Sequence, residues 1–173
     1  MTLEDDVRRC CEDIEGVHND AERVRKCCAD DAKQDLSKFE SKLEDFRRQA
    51  HEARQRLDSG LREGFEGLVA TWREGRDRLH GHLRLIEAKS SLASARRLGK
   101  DQYYVAAERE LTTALRLIQE ARPLLPAKDA HLKELLEQIE PAIEDFKQES
   151  QAAAARLESV VATNERLLVE LGQ

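Results

Sequence analysis

Apolar positions recur at steps of three and four residues along the first half of the chain, from Leu3 to Ile86, with charged residues on both sides. Such steps place side chains on one face of an α-helix, and a narrow stripe flanked by charges is typical of a coiled-coil seam. We therefore predict a long coiled-coil-like helical region over residues 1–98. Its predicted oligomer seam consists of Leu3, Val7, Ile14, Val17, Val24, Leu36, Phe39, Leu43, Phe46 and Leu57.

The length of this stripe raises the question of where the helix ends. An unbroken helix from Leu3 to Ile86 would measure about 125 Å, so we expect either an elongated molecule or a chain that folds back at a break. Five of the eight glycines lie between Gly60 and Gly81, and each costs about 1 kcal/mol relative to alanine inside a helix. We place the possible break at 58–67. Close contact between helices would explain these glycines, and a flexible helix is the alternative.

Residues that begin and end helices are easier to identify in the second half, residues 101–173. Gly99 is expected just past a helix end and Asp101 at the next N-cap, so a helix is predicted at about 102–122. Pro123 and Pro126 stop it, and a last helix is predicted at about 127–171 with a kink or a short interruption at Pro141. The stretch AAERELTTAL after Gly99 resembles one tetratricopeptide hairpin, in a single copy. The predicted fold is all-α and elongated: the long N-terminal helix, then a C-terminal helical hairpin or bundle.

Charge divides the chain into an acidic, a basic and an acidic part. Residues 1–46 carry 8 basic and 14 acidic side chains, residues 47–100 carry 13 and 7, and residues 101–173 carry 8 and 14. The basic section can attract acidic ends, from another copy or from the same chain folded back, or it can attract anionic lipid headgroups. The residues predicted to contact lipid or an acidic partner lie on the amphipathic segment 61–86: Arg62, Phe65, Trp72, Arg73, Arg76, Arg78 and Arg84. Acidic residues interrupt this segment, so nucleic acid is not an expected partner.

Two adjacent cysteine pairs, Cys10 with Cys11 and Cys27 with Cys28, are the candidate metal or redox site. On one continuous helix the pairs lie about 26 Å apart, and neither a disulfide nor a metal could bridge them. A hairpin centred on Asn19 would bring them together, and contacts between chains are a third alternative. We favour the continuous helix with free thiols. His80 and His82 also point away from each other on a helix, so we expect no metal there.

The function expected from these features is structural. No nucleotide-binding or hydrolase motif is present, so we expect no enzyme activity and no cofactor. The predicted protein is a helical scaffold that self-associates through its seam into an elongated oligomer, with other helical proteins as further partners. Peripheral binding of anionic membrane through residues 61–86 is the first alternative, and a metal- or redox-responsive helical bundle is the second. The acidic N-terminus and the cysteines suggest a cytoplasmic protein, with membrane attachment as the alternative.

Overall fold

The computed structural model describes residues 2–59, 65–150 and 152–173 of the chain, and the described residues are helical without any strand. The helices are α1 (Leu3–Cys27), α2 (Asp30–Asp58), α3 (Phe65–Lys100), α4 (Tyr104–Ala121), α5 (Asp129–Lys147) and α6 (Ala153–Gly172). Two short 3-10 turns, Arg122–Leu124 and Pro126–Lys128, connect α4 to α5. The predicted all-α fold is confirmed.

The central helix is α3, and the other helices are arranged along it. α1 runs parallel to α3, because Asp6 and Asp13 pair with Arg73 and Arg76 in the same order. α2 runs antiparallel, since its Asp35 pairs with Lys89 further along α3. α6 is also antiparallel to α3. Helices α3, α4, α5 and α6 form a four-helix bundle, in which each helix packs on the next and α6 packs back on α3. One hydrophobic core runs from α1 to α6.

The sequence of α3 explains its central position. Leu83, Leu85, Ile86, Ala88, Leu92 and Ala95 are all fully buried. These residues lie on more than one face of the helix, and a helix that is apolar on several faces must be covered on all of them. α3 is about 54 Å long at 1.5 Å per residue. The accessible surface is 10011 Å², against roughly 8,600 Å² for a typical compact monomer of this mass, so the molecule is moderately extended.

The N-terminal half is not one long helix as predicted, because the helix is interrupted after Cys27 and after Asp58. α1 continues through Gly16 and Asn19, so the expected continuous helix at this place is confirmed and the hairpin is wrong. The helix stops at Cys27, and Cys28 and Ala29 form an extended connection. The Ala29 N–H donates to Ser90 Oγ of α3 at 2.7 Å, which anchors this turn. α2 ends at Asp58, at the start of the predicted break, and residues 60–64 lie outside the described part of the chain.

Two corrections apply to the C-terminal half. The predicted last helix is two helices, and the chain turns between Lys147 and Ala153, with Glu149 at a φ of 51°. Pro141 lies inside α5, where burial of neighbours such as Ile139 and Phe146 offsets the lost hydrogen bond. The α3–α4 turn has its positive φ at Gln102 rather than Gly99, and Tyr103 rather than Asp101 is the N-cap of α4.

The predicted seam lies inside the single chain. Val7, Ile14, Val17, Val24, Leu36, Phe39, Leu43 and Leu57 are buried, and Phe46 is half-buried against the same core. Leu3 belongs to α1, but its side chain lies outside the described part. The stripe therefore serves the packing of α1 and α2 on α3. Self-association is not tested by this arrangement and stays a prediction.

Three glycines of α3, namely Gly75, Gly81 and Gly99, lie against large side chains from other elements. A Cβ on Gly75 would lie 2.6 Å from the Phe46 ring, and one on Gly81 would lie 2.5 Å from Leu125 Cγ. Gly99 has the same role, since a Cβ there would lie 2.8 Å from the Phe146 ring. A Cβ on Gly67 would meet nothing within 4 Å, and Gly60 and Gly64 lie outside the described residues.

Two alanine substitutions should change stability in opposite directions. Gly16 of α1 is exposed and a Cβ there meets nothing within 4 Å, so Gly16→Ala should stabilise the protein by up to about 1 kcal/mol through helix propensity. Gly81→Ala gains the same propensity but must displace the buried Leu125, at a cost of about 1–3 kcal/mol, so a net loss is expected. Urea unfolding of both variants checks this. Equal stabilisation by both would contradict the packing of Leu125 on α3.

Candidate functional site

A cleft opens where the middle of α2, the C-terminal end of α6 and the Pro123–Lys128 connection meet the first half of α3. We name it the α3–α6 cleft. It has two chambers, of about 250 Å³ and about 370 Å³, which share Arg78 and Leu171. We name the first, which α2 borders, the inner chamber, and the second, which the Pro123–Lys128 connection borders, the outer chamber. The inner chamber is lined by Lys42, Phe46, Gly75, Arg78, Leu79, His82, Leu171 and Gln173. The outer chamber is lined by Glu74, Asp77, Arg78, residues 123–128 and Leu171.

The walls of this cleft are fixed by contacts between distant segments. Lys42 of α2 donates hydrogen bonds from Nζ to the carbonyls of Leu171 and Gly172 at 3.1 and 2.8 Å. A lysine at the C-terminus of a helix satisfies free carbonyls and interacts favourably with the helix dipole. Lys128 pairs with Glu170 at 2.6 Å, which ties the loop to α6 as well. These contacts tie α2 and the Pro123–Lys128 connection to the end of α6 and so hold the walls of the cleft in place.

His82 is the buried polar group of the inner chamber. Only 6% of its surface is exposed, and its ring meets the Phe39 ring edge-on at a centroid distance of 5.4 Å. Within the described residues the imidazole forms no hydrogen bond, which leaves its ring nitrogens without a protein partner. Burial lowers the pKa of His82 to about 4, and the positive charges of Lys42 and Arg78 add to this while Asp35 opposes it. His82 is therefore neutral at pH 7.

Arg78 differs from the other predicted basic contacts. Arg73 pairs with Asp6 at 2.8 Å, Arg76 with Asp13 at 2.6 Å, and Arg84 with Glu87 and Glu120. Arg78 is exposed and forms no ion pair in the described part of the chain. Among the singled-out residues whose side chains the structure describes, Arg78 is the one whose charge is available at the cleft.

Trp72 is placed unfavourably for contact with lipid. Trp72 is 4% exposed and belongs to the core, so it cannot insert into a bilayer without unfolding the bundle. Phe65 begins α3, but its side chain lies outside the described part, as does Arg62 entirely. The basic section instead meets the acidic arms of the same chain, for example through Lys89 with Asp35. None of the described helices combines the length and apolar character needed to cross a bilayer.

The cysteines lie as the continuous helix predicts. All four are free, with Cys10 buried, Cys11 and Cys28 half-buried and Cys27 exposed. Burial raises the pKa of Cys10 to about 11 and raises those of Cys11 and Cys28. Raised values keep these thiols protonated and weakly nucleophilic at neutral pH. Among the described residues, no three His, Cys, Asp or Glu side chains are grouped to hold a metal ion.

The two histidines of the HGH stretch point to different neighbours, as expected on a helix. His80 Nε2 lies 3.5 Å from Asp20 of α1, whereas His82 faces Phe39 of α2. A further opening of about 430 Å³ lies between α1 and α2, and its lining includes the charged residues Glu12, Glu15, Arg47 and Arg54. Arg47 and Glu15 pair there through two hydrogen bonds of 3.0 Å, so these two charges are already neutralised.

Comparison of the chain with known proteins identifies no similar protein. No protein-family model matches the chain, and no curated protein and no solved structure matches it significantly.

Proposed function

We propose that this protein is a non-enzymatic helical interaction protein whose partner occupies the α3–α6 cleft. The observation that carries the proposal is the construction of the cleft from four segments of the chain. Lys42 of α2, Arg78 and His82 of α3, the Pro123–Lys128 loop and Leu171 of α6 all border it. A site that the core holds in shape avoids much of the ordering cost that binding otherwise incurs.

The composition of the cleft also supports binding. Ligand sites combine mostly apolar walls with a few placed polar groups. Here Leu124, Leu125 and Leu171 supply apolar wall, and Arg78 and His82 supply polar groups without a protein partner. Arg73, Arg76 and Arg84 are paired with acidic residues, whereas Arg78 borders the cleft without an ion pair in the described part of the chain.

The other expected roles remain untested predictions. Self-association would need a surface other than the buried seam, and the exposed large apolar side chains of the described residues are Tyr103, Val105 and Val169. Of the contacts expected for peripheral membrane binding, Trp72 is not accessible because it lies in the core. The cytoplasmic location stays a prediction as well.

A screen of small molecules by amide chemical shifts tests the proposed function. We expect binders to shift the resonances of Leu124, Lys128 and Leu171, which line the outer chamber. Ala127 is exposed and lines the outer chamber, and Ala130 is exposed and does not. Ala127→Trp should therefore reduce these shifts, and Ala130→Trp should leave them unchanged. Binders that map only to other surfaces, or shifts that Ala127→Trp does not alter, would contradict the proposal.

A further inference from the structure

The charged side chains that line the inner chamber are all positive. Lys42 and Arg78 are cations, and no Asp or Glu side chain belongs to the described lining. Lys42 uses two of its three donors on the carbonyls of Leu171 and Gly172, so one donor remains. Arg78 has no ion pair within the described residues, and its planar guanidinium suits bidentate contact with a carboxylate.

His82 provides a second, independent indication of a ligand. The side chain is more than nine-tenths buried, borders the inner chamber and has no hydrogen-bond partner among the described residues. The ring nitrogens of His82 are not among the fully buried polar atoms of the described residues that lack a partner, so they stay accessible to whatever occupies the chamber, water or a ligand. A ligand atom in the chamber would provide the partner that the fold does not.

The apolar lining and the volume of the inner chamber indicate the character and size of the uncharged part of the ligand. Phe46, Leu79 and Leu171 present apolar surface to the chamber, whose volume is about 250 Å³. At the roughly 30 Å³ that one water occupies in the liquid, this corresponds to about eight non-hydrogen atoms. The chamber therefore suits a short apolar chain that carries one anionic group.

We infer that the inner chamber binds a small organic carboxylate, with Arg78 paired to the carboxylate and His82 and Lys42 donating hydrogen bonds to it. The apolar body of the ligand packs on Phe46, Leu79 and Leu171. This inference rests on the proposed function, since it names the class of ligand for the same cleft. The competing explanation is that His82 only packs on Phe39 and that Arg78 is an ordinary solvated charge.

Hexanoate and its neutral analogue hexanamide are the matched probes, each with eight non-hydrogen atoms, the number that about 30 Å³ per atom allows in the chamber. Titration of the full-length ¹⁵N-labelled chain at pH 7 should show saturable shifts at Leu79 and Leu171 and at the His82 ring nitrogens with hexanoate. Hexanamide should bind at least about tenfold more weakly, since it lacks the charge that Arg78 recognises. Equal affinities for both probes at the cleft would overturn the carboxylate inference and keep the proposed function. Absence of cleft shifts with hexanoate would overturn the inference, and the screen above then decides the proposed function separately.

The variant Arg78→Ala separates the two explanations. The Arg78 side chain is exposed and has no ion pair in the described part of the chain, so its removal should leave the fold intact. Circular dichroism verifies this. We expect its affinity for hexanoate to fall at least about tenfold, because a bidentate charged pair is lost. Arg109→Ala is the matched control, since Arg109 is also exposed and has no described side-chain partner but lies on α4. Unchanged binding by Arg78→Ala, or an equal loss in Arg109→Ala, would overturn the inference.

Discussion

Replacement of Leu43 by aspartate is expected to unfold the protein. Leu43 is 1% exposed in the core that α2 shares with its neighbours. Loss of a buried leucine side chain alone costs about 2–5 kcal/mol, and an unpaired buried carboxylate adds several more. Since domains are stable by only about 5–15 kcal/mol, Leu43→Asp should lose most of its helical signal and its cooperative thermal transition, which far-ultraviolet circular dichroism measures.

The matched control introduces the same residue on the outer face of the same helix. Ser41 is exposed, and surface substitutions usually change stability by less than about 0.5 kcal/mol. Ser41→Asp should therefore keep the helical signal and the transition. If Leu43→Asp stayed fully helical and only lowered the molecular mass, Leu43 would lie between subunits, and the arrangement of α2 described here would be wrong.

The second large effect is acid destabilisation through His82. The folded pKa is about 4 and the ordinary value is 6.5, so the folded state favours the neutral ring. The unfolded chain takes up a proton first, and stability is therefore lost as the pH falls from about 6.5 towards 4. The full pKa shift lowers the free energy of unfolding by about 3 kcal/mol once the pH is below both pKa values. By pH 4.5 the loss is about 2–3 kcal/mol.

Comparison with His82→Gln isolates this contribution from that of the acidic residues. Glutamine does not titrate, so the loss of unfolding free energy between pH 7 and pH 4.5 should shrink by about 2–3 kcal/mol in the variant. His131 is exposed, and His131→Gln should retain the wild-type dependence. Urea unfolding at several pH values measures all three proteins. An identical pH dependence in His82→Gln would show that His82 is solvated rather than buried.

The stripe of apolar residues was sufficient to predict what becomes buried in the first half. Ile14, Val17 and Val24 stay in phase through Gly16 and Asn19, and α1 is continuous there. The same stripe could not reveal what covers it. A seam between two chains and a face packed on α3 of the same chain require the same spacing of apolar residues.

The missed breaks have physical reasons as well. The turn at Cys28 and Ala29 leaves the apolar pattern nearly in phase, and it is anchored by Ser90, which lies 61 positions further along the chain. Pro141 was expected to interrupt the last helix, but tertiary burial around it outweighs the lost hydrogen bond. A signal for the real turn was present, because the stretch from Lys147 to Gln151 has no apolar residue.

The candidate site was largely beyond prediction, since it joins residues that are far apart in sequence. Arg78 was singled out, but as one of seven basic-section contacts. Lys42 and Leu171 were not, because they meet only when α6 returns along α3. Two weaker signals existed: apolar Leu124 and Leu125 within a proline-bounded loop, and His82 among the apolar residues of α3.

Small-angle X-ray scattering of the purified chain tests the central claim most directly. If α1 and α2 fold back on α3 within one chain, the 19.7 kDa monomer should give a radius of gyration of roughly 16–20 Å. A continuous helix over Leu3 to Ile86 would be about 125 Å long and would alone require a value above roughly 35 Å. A measured radius in that larger range would contradict the account.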